Sequence, residues 1–314
     1  MINLVVKDRK GKVLLPSLEL DELTSTVSQI NSKINQKFKH MYPSRQRLTF
    51  ENKVLQKEDP ISKFDFKNGD VIQLKDLGPQ IGWTTVFLIE YFGPIFIHPL
   101  FYFFPNIFYP GYAEADYQKS NVQALALIMV VLHFLKREFE TIFVHRFSSE
   151  TMPYTNLPKN CFHYWVLGGF NLAYWIYKPN NAGYFKFIWT KLGFENGIDD
   201  QYLILATLIA LWTFAQLSNY KTHCILRDLR PPGLKTRKIP QGYGFNLVSC
   251  PNYFFEMLGW FVISLMTNSL ASYMFFFVGA AQMTDWAVKK HLRYKKDFKS
   301  EYPKNRKILF PFIF

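Results

Sequence analysis

Residues 253–283 read YFFEMLGWFVISLMTNSLASYMFFFVGAAQM, an apolar run broken by a single charged side chain, Glu256. A hydrocarbon core of about 30 Å is crossed by about 20 helical residues. The run is therefore long enough for two crossings, and Thr267-Asn268-Ser269 is the polar point at which the chain can turn back. Working outward, Thr84–Phe104, Val122–Leu135, Cys161–Tyr177 and Gln201–Leu217 repeat the pattern, with Trp, Tyr and His at their flanks as expected of interfacial anchors. The reading is an α-helical multi-pass membrane bundle of six transmembrane helices, or seven if Tyr184–Phe194 also crosses.

Averages over the whole chain conceal this. Its 314 residues carry 37 Lys and Arg against 24 Asp and Glu, a net charge of +13, and the mean hydropathy is −0.05, as in a soluble basic protein. The 32 Phe, 18 Tyr and 7 Trp, 18% of the chain, are more than a water-facing surface tolerates. Residues 1–83 hold 14 basic and 10 acidic groups, residues 84–217 hold 8 and 9, and residues 218–314 hold 15 and 5. An apolar, nearly neutral middle excludes intrinsic disorder. Cys161, Cys224 and Cys250 are too few and too scattered for a disulfide framework or a zinc ligand set, and read as free thiols facing a reducing compartment. The amino-terminal stretch MINLVVKDRKGKVLL lacks the pattern of a cleaved secretory signal.

Residues 1–77 read as a separate cytosolic α+β domain. Ile2, Leu4 and Val6 alternate with polar neighbours, and after an Arg9-Lys10-Gly11 turn Val13–Leu20 forms a second strand. A helix capped by Asp21 should follow, with Leu23, Val27, Ile30, Ile34 and Phe38 on one face. Short strands are expected at Arg47–Phe50, near Val54 and at Val71–Lys75, the last preceded by an Asn68-Gly69-Asp70 turn. The order β-β-α-β-β resembles the ubiquitin-like fold, and residues 78–314 form the membrane domain. Six passes from a cytosolic amino terminus put Lys136, Arg137, Arg146, Lys221–Lys238 and the tail from Lys289 on the cytosolic side. That agrees with the positive-inside rule and leaves both termini in the cytosol.

The concentrated positive charge has two readings: topology and attraction to anionic lipid, or a cytosol-facing pocket for a polyanion such as a dinucleotide or coenzyme A. Nucleic acid is not indicated, since the charge lies in juxtamembrane loops. No G-x-G-x-x-G follows a strand, and neither a P-loop nor a G-x-S-x-G elbow is present. His133, His145 and His163 lack the close spacing of a membrane metal box, so no metal is expected. Ionisable groups inside apolar runs are functional candidates. Glu90 sits in FLIEYFGP, and Asn252, Tyr253 and Glu256 open the fifth run in SCPNYFFE. A phenol, protonated at neutral pH, can donate a proton into a low-dielectric cavity, although a tyrosine at a membrane edge also serves as an interface anchor.

Several segments together carry a resemblance: KREFETIFVHRFSSETMP (136–153), NCFHYWVLGG (160–169), SCPNYFFEMLGW (249–260), EYPKNRKILFPFIF (301–314) and the connection KDLGPQIGW (75–83). They resemble the trans-2-enoyl-CoA reductases of very-long-chain fatty acid elongation, within the steroid 5α-reductase superfamily. The resemblance implies an endoplasmic reticulum membrane enzyme that uses NADPH to saturate a long-chain trans-2-enoyl-CoA, with hydride to C3 and a proton to C2. It implies Tyr253 as proton donor or enolate stabiliser, with Glu90 orienting or polarising it. For the cofactor it implies Asn252, Arg230, Lys238, Arg137, His145, Asn219 and Tyr294. It also carries an expectation of contact with other elongation enzymes and of a role in sphingolipid metabolism.

Two departures are visible. The tail RYKKDFKSEYPKNRK has one residue more than many superfamily members between Tyr294 and the YPK motif. Position 134, where steroid reductases usually present a tyrosine, is Phe134, which favours Tyr253 as donor and weighs against a steroid substrate. The remaining readings are reduction of another conjugated lipid, a steroid enone or polyprenol, and a non-catalytic adaptor that recruits partners through the ubiquitin-like domain.

Overall fold

The computed structural model describes residues 1–112, 118–147, 150–179, 189, 191–194, 197–229 and 238–314. They form two compact units, Met1–Trp83 with Ser149–Leu157, and Thr84–Ser148 with Pro158–Phe314.

In the first unit, strands β1 (Ile2–Asp8), β2 (Val13–Leu20), β3 (Gln46–Phe50), β4 (Lys53–Val54) and β5 (Val71–Asp76) make one sheet in the order β2-β1-β5-β3-β4. β1 and β5 are parallel in register Val6↔Ile72, and every other pairing is antiparallel. The period of two puts Leu4, Val6, Leu48, Ile72 and Leu74 on the covered face. There they meet Val27, Ile30 and Ile34 of helix α1 (Val27–Lys37). Helix α1 starts later than the apolar spacing implies. Asp21 does not cap it. Its carboxylate accepts from Leu23 N at 3.0 Å and its backbone N–H donates to Ser25 Oγ at 3.1 Å, closing a turn of its own and leaving Leu23 86% exposed. A small ribbon that periodicity did not signal joins β6 (Gln80–Gly82) to β7 (Thr151–Pro153), pairing Ile81 with Met152.

The second unit is helical. Helix α2 (Trp83–Phe103) holds Pro94 and Pro99. Helix α3 (Asn121–Phe143) opens on a capping box, Ser120 with Gln123. The segments Leu157–Cys161, Phe162–Asn171 and Leu172–Ile176 follow one another without a gap and are called α4; the middle one is π-helical. Helices α5 (Tyr202–Asp228), α6 (Pro251–Thr267) and α7 (Leu270–Phe298) complete the unit. The expected turn between α6 and α7 is present: Asn268 adopts φ +43°, a left-handed conformation that asparagine tolerates. Residues 184–188 and 190 of the further pass considered over Tyr184–Phe194 lie outside the described residues.

Among the described residues two helices, α2 and α5, are long and apolar enough to cross a membrane. Phe92, Phe96, Leu100 and Phe103 of α2, Leu132, Leu135, Phe139 and Phe143 of α3, and Met274, Phe277 and Val278 of α7 point outward. Solvent-facing helices do not carry such belts, whereas lipid-facing ones do. Inside, Phe134, Tyr91, Tyr164, Trp260 and Phe275 pack ring against ring. Glycine allows the closest helix approaches. A Cβ on Gly93 would come 2.5 Å from the Trp165 indole, and one on Gly259 would come 2.7 Å from Gln216 Nε2.

Helices α3 and α5 do not stop where their apolar runs do. The hydropathy windows end at Leu135 and Leu217, yet the backbone continues helically to Phe143 and Asp228. Lys136 and Arg137, expected in a loop, are therefore on a helix. Their side chains stay inside because polar partners meet them there.

Candidate functional site

Helical spacing places Lys136, Arg137 and Glu140 on one side of α3. The same spacing puts Asn219 and His223, four residues apart, on a facing stripe of α5. Glu140 is fully buried. Arg137 Nη1 pairs with its Oε2, while Lys136 Nζ and His223 Nδ1 lie 3.0 and 3.1 Å from its Oε1. Lys136 Nζ also donates to Asn219 Oδ1. Arg137 Nη2 donates to the Tyr91 hydroxyl at 3.1 Å, and Nη1 lies 3.3 Å from His223 Nδ1. The His223 tautomer decides whether that nitrogen donates to Glu140 or accepts from Arg137. His145, in the segment after α3, sets Nε2 3.5 Å from the same nitrogen. Burial first, then the neighbouring Arg137 charge, pushes the His145 imidazole down to about 3, so it is neutral at physiological pH.

The start of α6 closes this cluster. Asn219 Nδ2 donates to the Asn252 carbonyl at 2.8 Å, and Asn252 is 5% exposed. One turn on, Glu256 lies 3.2 Å from His133 Nε2, and His133 Nδ1 is 3.1 Å from Gln216 Oε1. On α6 itself, Asn252 Oδ1 and Glu256 Oε2 remain without a hydrogen-bond partner. Buried acceptors left unmatched are uncommon and point to a ligand or water.

Tyr253 turns toward α7. Its ring is 6.2 Å from Trp286, with Lys290 Nζ 6.0 Å from its centroid and 5.9 Å from that of Tyr294. Tyr294 is buried and packs 5.7 Å from Tyr302. Below them Ser249 Oγ lies 2.6 Å from both His291 Nδ1 and the Tyr302 hydroxyl. The tail ties down the start of α6: Ser249 N donates to Lys307 O at 2.8 Å and Cys250 N to Ile308 O at 3.2 Å. Glu90, on α2, is 1% exposed and hydrogen-bonded to Asn160, and its Oε1 has no partner. Among the described residues no hydrogen bond joins Glu90 to Tyr253.

The structure thus brings Arg137, His145, Asn219 and Asn252 into one cluster. Tyr253 and Tyr294 share a second group beside it, joined to the first through consecutive residues of α6. Lys238 is exposed, and Arg230 lies outside the described residues. Sequence reasoning did not single out Tyr91, Lys136, Glu140 or His223 for the site. The spacing in KREFE, two cations three and four residues before a carboxylate, is the signal that would have found Glu140. Glu140, His145 and His223 offer donor atoms within 4.8 Å of one another. Lys136 and Arg137 already neutralise that carboxylate, so a metal cation would sit against two positive charges, and the set suits an anion better.

Comparison with known proteins agrees with this architecture. The family described as 3-oxo-5-alpha-steroid 4-dehydrogenase matches residues 150–314, and the ubiquitin family matches residues 17–75. A Schizosaccharomyces pombe protein described as an enoyl reductase is 46% identical over 99% of both chains. The very-long-chain enoyl-CoA reductase of Dictyostelium discoideum is 39% identical over the full length of both. A mouse trans-2,3-enoyl-CoA reductase-like protein is 32% identical over 92% of this chain and 78% of its own.

Proposed function

The chain belongs to the 3-oxo-5-alpha-steroid 4-dehydrogenase family and, within it, to the enoyl-CoA reductases; from that footing we propose that it reduces very-long-chain trans-2-enoyl-CoA with NADPH, the last step of an elongation cycle. It is an oxidoreductase acting on enoyl-CoA and a membrane protein with an amino-terminal ubiquitin-like domain. Placement in the endoplasmic reticulum, six or seven passes, both termini in the cytosol, a domain boundary at 77/78 and association with other elongation enzymes belong to the proposal.

The observation that carries the cofactor reading is the pairing of buried cations with unmatched acceptors. Lys136 and Arg137 offer charge-assisted donors for phosphate, and Arg230 and Lys238 are proposed to add to them. Asn252 Oδ1 and Glu256 Oε2 can accept from a carboxamide or ribose hydroxyl. This donor and acceptor set fits a dinucleotide, which Asn219, His145 and Tyr294 would help to enclose. A dinucleotide held by these residues would supply hydride chemistry at C3. Tyr253, with Lys290 near its ring, holds the proton for C2. Glu90, buried on α2, is proposed to orient a hydroxyl or amide. The packed rings of Phe134, Tyr164 and Trp260 would exclude water from the reacting carbons.

The test is NADPH oxidation by purified protein with trans-2-hexadecenoyl-CoA, set against a steroid enone. Turnover of the thioester alone is expected, and preference for the enone would overturn the substrate assignment. Tyr253→Phe should lower kcat by about 100-fold or more, within the range of general acid catalysis, and full turnover would remove Tyr253 from the proton-donor role. Glu90→Gln should lower the rate without loss of membrane insertion.

A further inference from the structure

Tyr91 sits at the border between the charged cluster and the packed aromatic rings. It is 3% exposed. Its ring lies 5.7 Å from Phe87, 6.2 Å from Phe134 and 5.1 Å from Tyr164, and the Arg137 guanidinium carbon is 5.3 Å from its centroid. Arg137 Nη1 faces Glu140 and His223, while Nη2 donates to the Tyr91 oxygen at 3.1 Å.

A phenol has one O–H to give and two lone pairs to receive. Arg137 occupies a lone pair, so the O–H is left to donate, and among the described residues no acceptor takes it. A buried donor without an acceptor is costly, and a cation bonded to the phenol oxygen strengthens the O–H as a donor. The surrounding rings are apolar and flat-sided, which suits a planar conjugated acyl group and not a phosphate.

Resting on the reading above and deepening it, we propose that Tyr91 donates its O–H to the thioester carbonyl oxygen of the enoyl-CoA. The hydride and its electron pair form the C3–H bond, the C2=C3 π pair shifts toward the carbonyl, and negative charge collects on that oxygen, where the Tyr91 donor stabilises it. The Tyr253 proton then forms the C2–H bond, and the resulting tyrosinate recovers a proton from solvent. Tyr91 keeps its proton throughout. Tyr91 thus serves the oxygen and Tyr253 the carbon, with Arg137 coupling the first to the cofactor cluster.

Tyr91→Phe preserves the ring packing and removes only the donor. With the full-length protein in detergent, single-turnover NADPH oxidation by trans-2-hexadecenoyl-CoA should fall about 100-fold, the loss typical of one oxyanion donor, while the NADPH Kd from fluorescence stays within twofold. A rate within threefold of wild type would overturn the proposal. So would a defect that disappears at saturating NADPH, because Tyr91 would then only position Arg137. If Tyr91→Phe does not fold, 3,5-difluorotyrosine at position 91, a more acidic phenol, should move the alkaline limb of the rate profile to lower pH; an unmoved limb overturns the assignment. A wild-type protein that oxidises no NADPH with the thioester refutes the functional reading itself and takes this inference with it.

Discussion

Removal of one negative charge from Glu140 is the sharpest test of how the polar cluster is held. Glu140 is fully buried and faces three partners, Lys136, Arg137 and His223. Glu140→Gln keeps the shape and leaves two cations with 17% and 13% side-chain exposure without their carboxylate. Breaking a buried ion pair from one side costs about 3–5 kcal/mol. Lys136 retains Asn219 Oδ1 and some contact with water, which places the loss near the lower end, about 3 kcal/mol. In a unit of this size that corresponds to a fall in Tm of roughly 6–12 °C. The assay is thermal unfolding in detergent, followed by tryptophan fluorescence, with and without NADPH. Two further outcomes follow from the same electrostatics. NADPH should raise the Tm of the variant more than that of wild type, since its phosphates replace the missing charge, and Arg137→Met in the variant background should restore part of the loss. A variant that melts within 2 °C of wild type without nucleotide would refute the reasoning.

Other perturbations read out separate contacts. Gly93→Ala drives a methyl group to 2.5 Å from the Trp165 indole and should cost about 1–3 kcal/mol as an overpacked site, measured by the same melting curves. His145 titrates far below its unfolded value, so between about pH 6.5 and pH 3 the unfolded chain binds a proton that the folded one does not. Stability should therefore decline as pH falls through that window, and His145→Asn should flatten the pH dependence of Tm. Ser249→Ala removes the 2.6 Å partner of buried His291 Nδ1 and one of the partners of the Tyr302 hydroxyl, at about 1–3 kcal/mol. The tail beyond Tyr302 should then be cut faster by added protease, and an unchanged rate would show that Ser249 does not hold it.

Much of this fold was legible because apolar periodicity reports burial directly. Ile30 and Ile34 on one face of α1, the strands of the first sheet, and the break at Asn268 all follow from residue type and spacing. The missed start of α1 has a local cause: Asp21 can cap a helix or close a turn, and Ser25 settles the competition in favour of the turn. The β6–β7 ribbon joins two three-residue segments far apart in the chain, and no segment of that length carries a usable period. The polar cluster was hard to see for another reason. Hydropathy reads Lys136, Arg137 and His223 as the end of a membrane run. In the structure a helix continues through them, because Glu140 and Asn219 supply partners that make their burial affordable. The resemblance points to Arg137, His145, Asn219 and Asn252, and nothing in it points to Glu140.

The ties between the start of α6 and the tail bear on the order in which the molecule is assembled. Ser249 and Lys307 are 58 positions apart. Between them lie α6, its left-handed turn and all of α7. If α6 crosses the bilayer as proposed, the segment that carries Asn252 and Tyr253 would enter it, while the chain is being made, with the Ser249 and Cys250 N–H groups still lacking their tail partners. On the proposed topology it is fastened only after the next helix has been threaded and the tail beyond it has come back to the same face. Insertion and maturation would then be separate events, and a chain that stalls in between would be membrane-integrated and inactive. A protein with intact helices but a displaced tail is distinguishable in cells by normal abundance in the membrane fraction together with missing enoyl-CoA reduction.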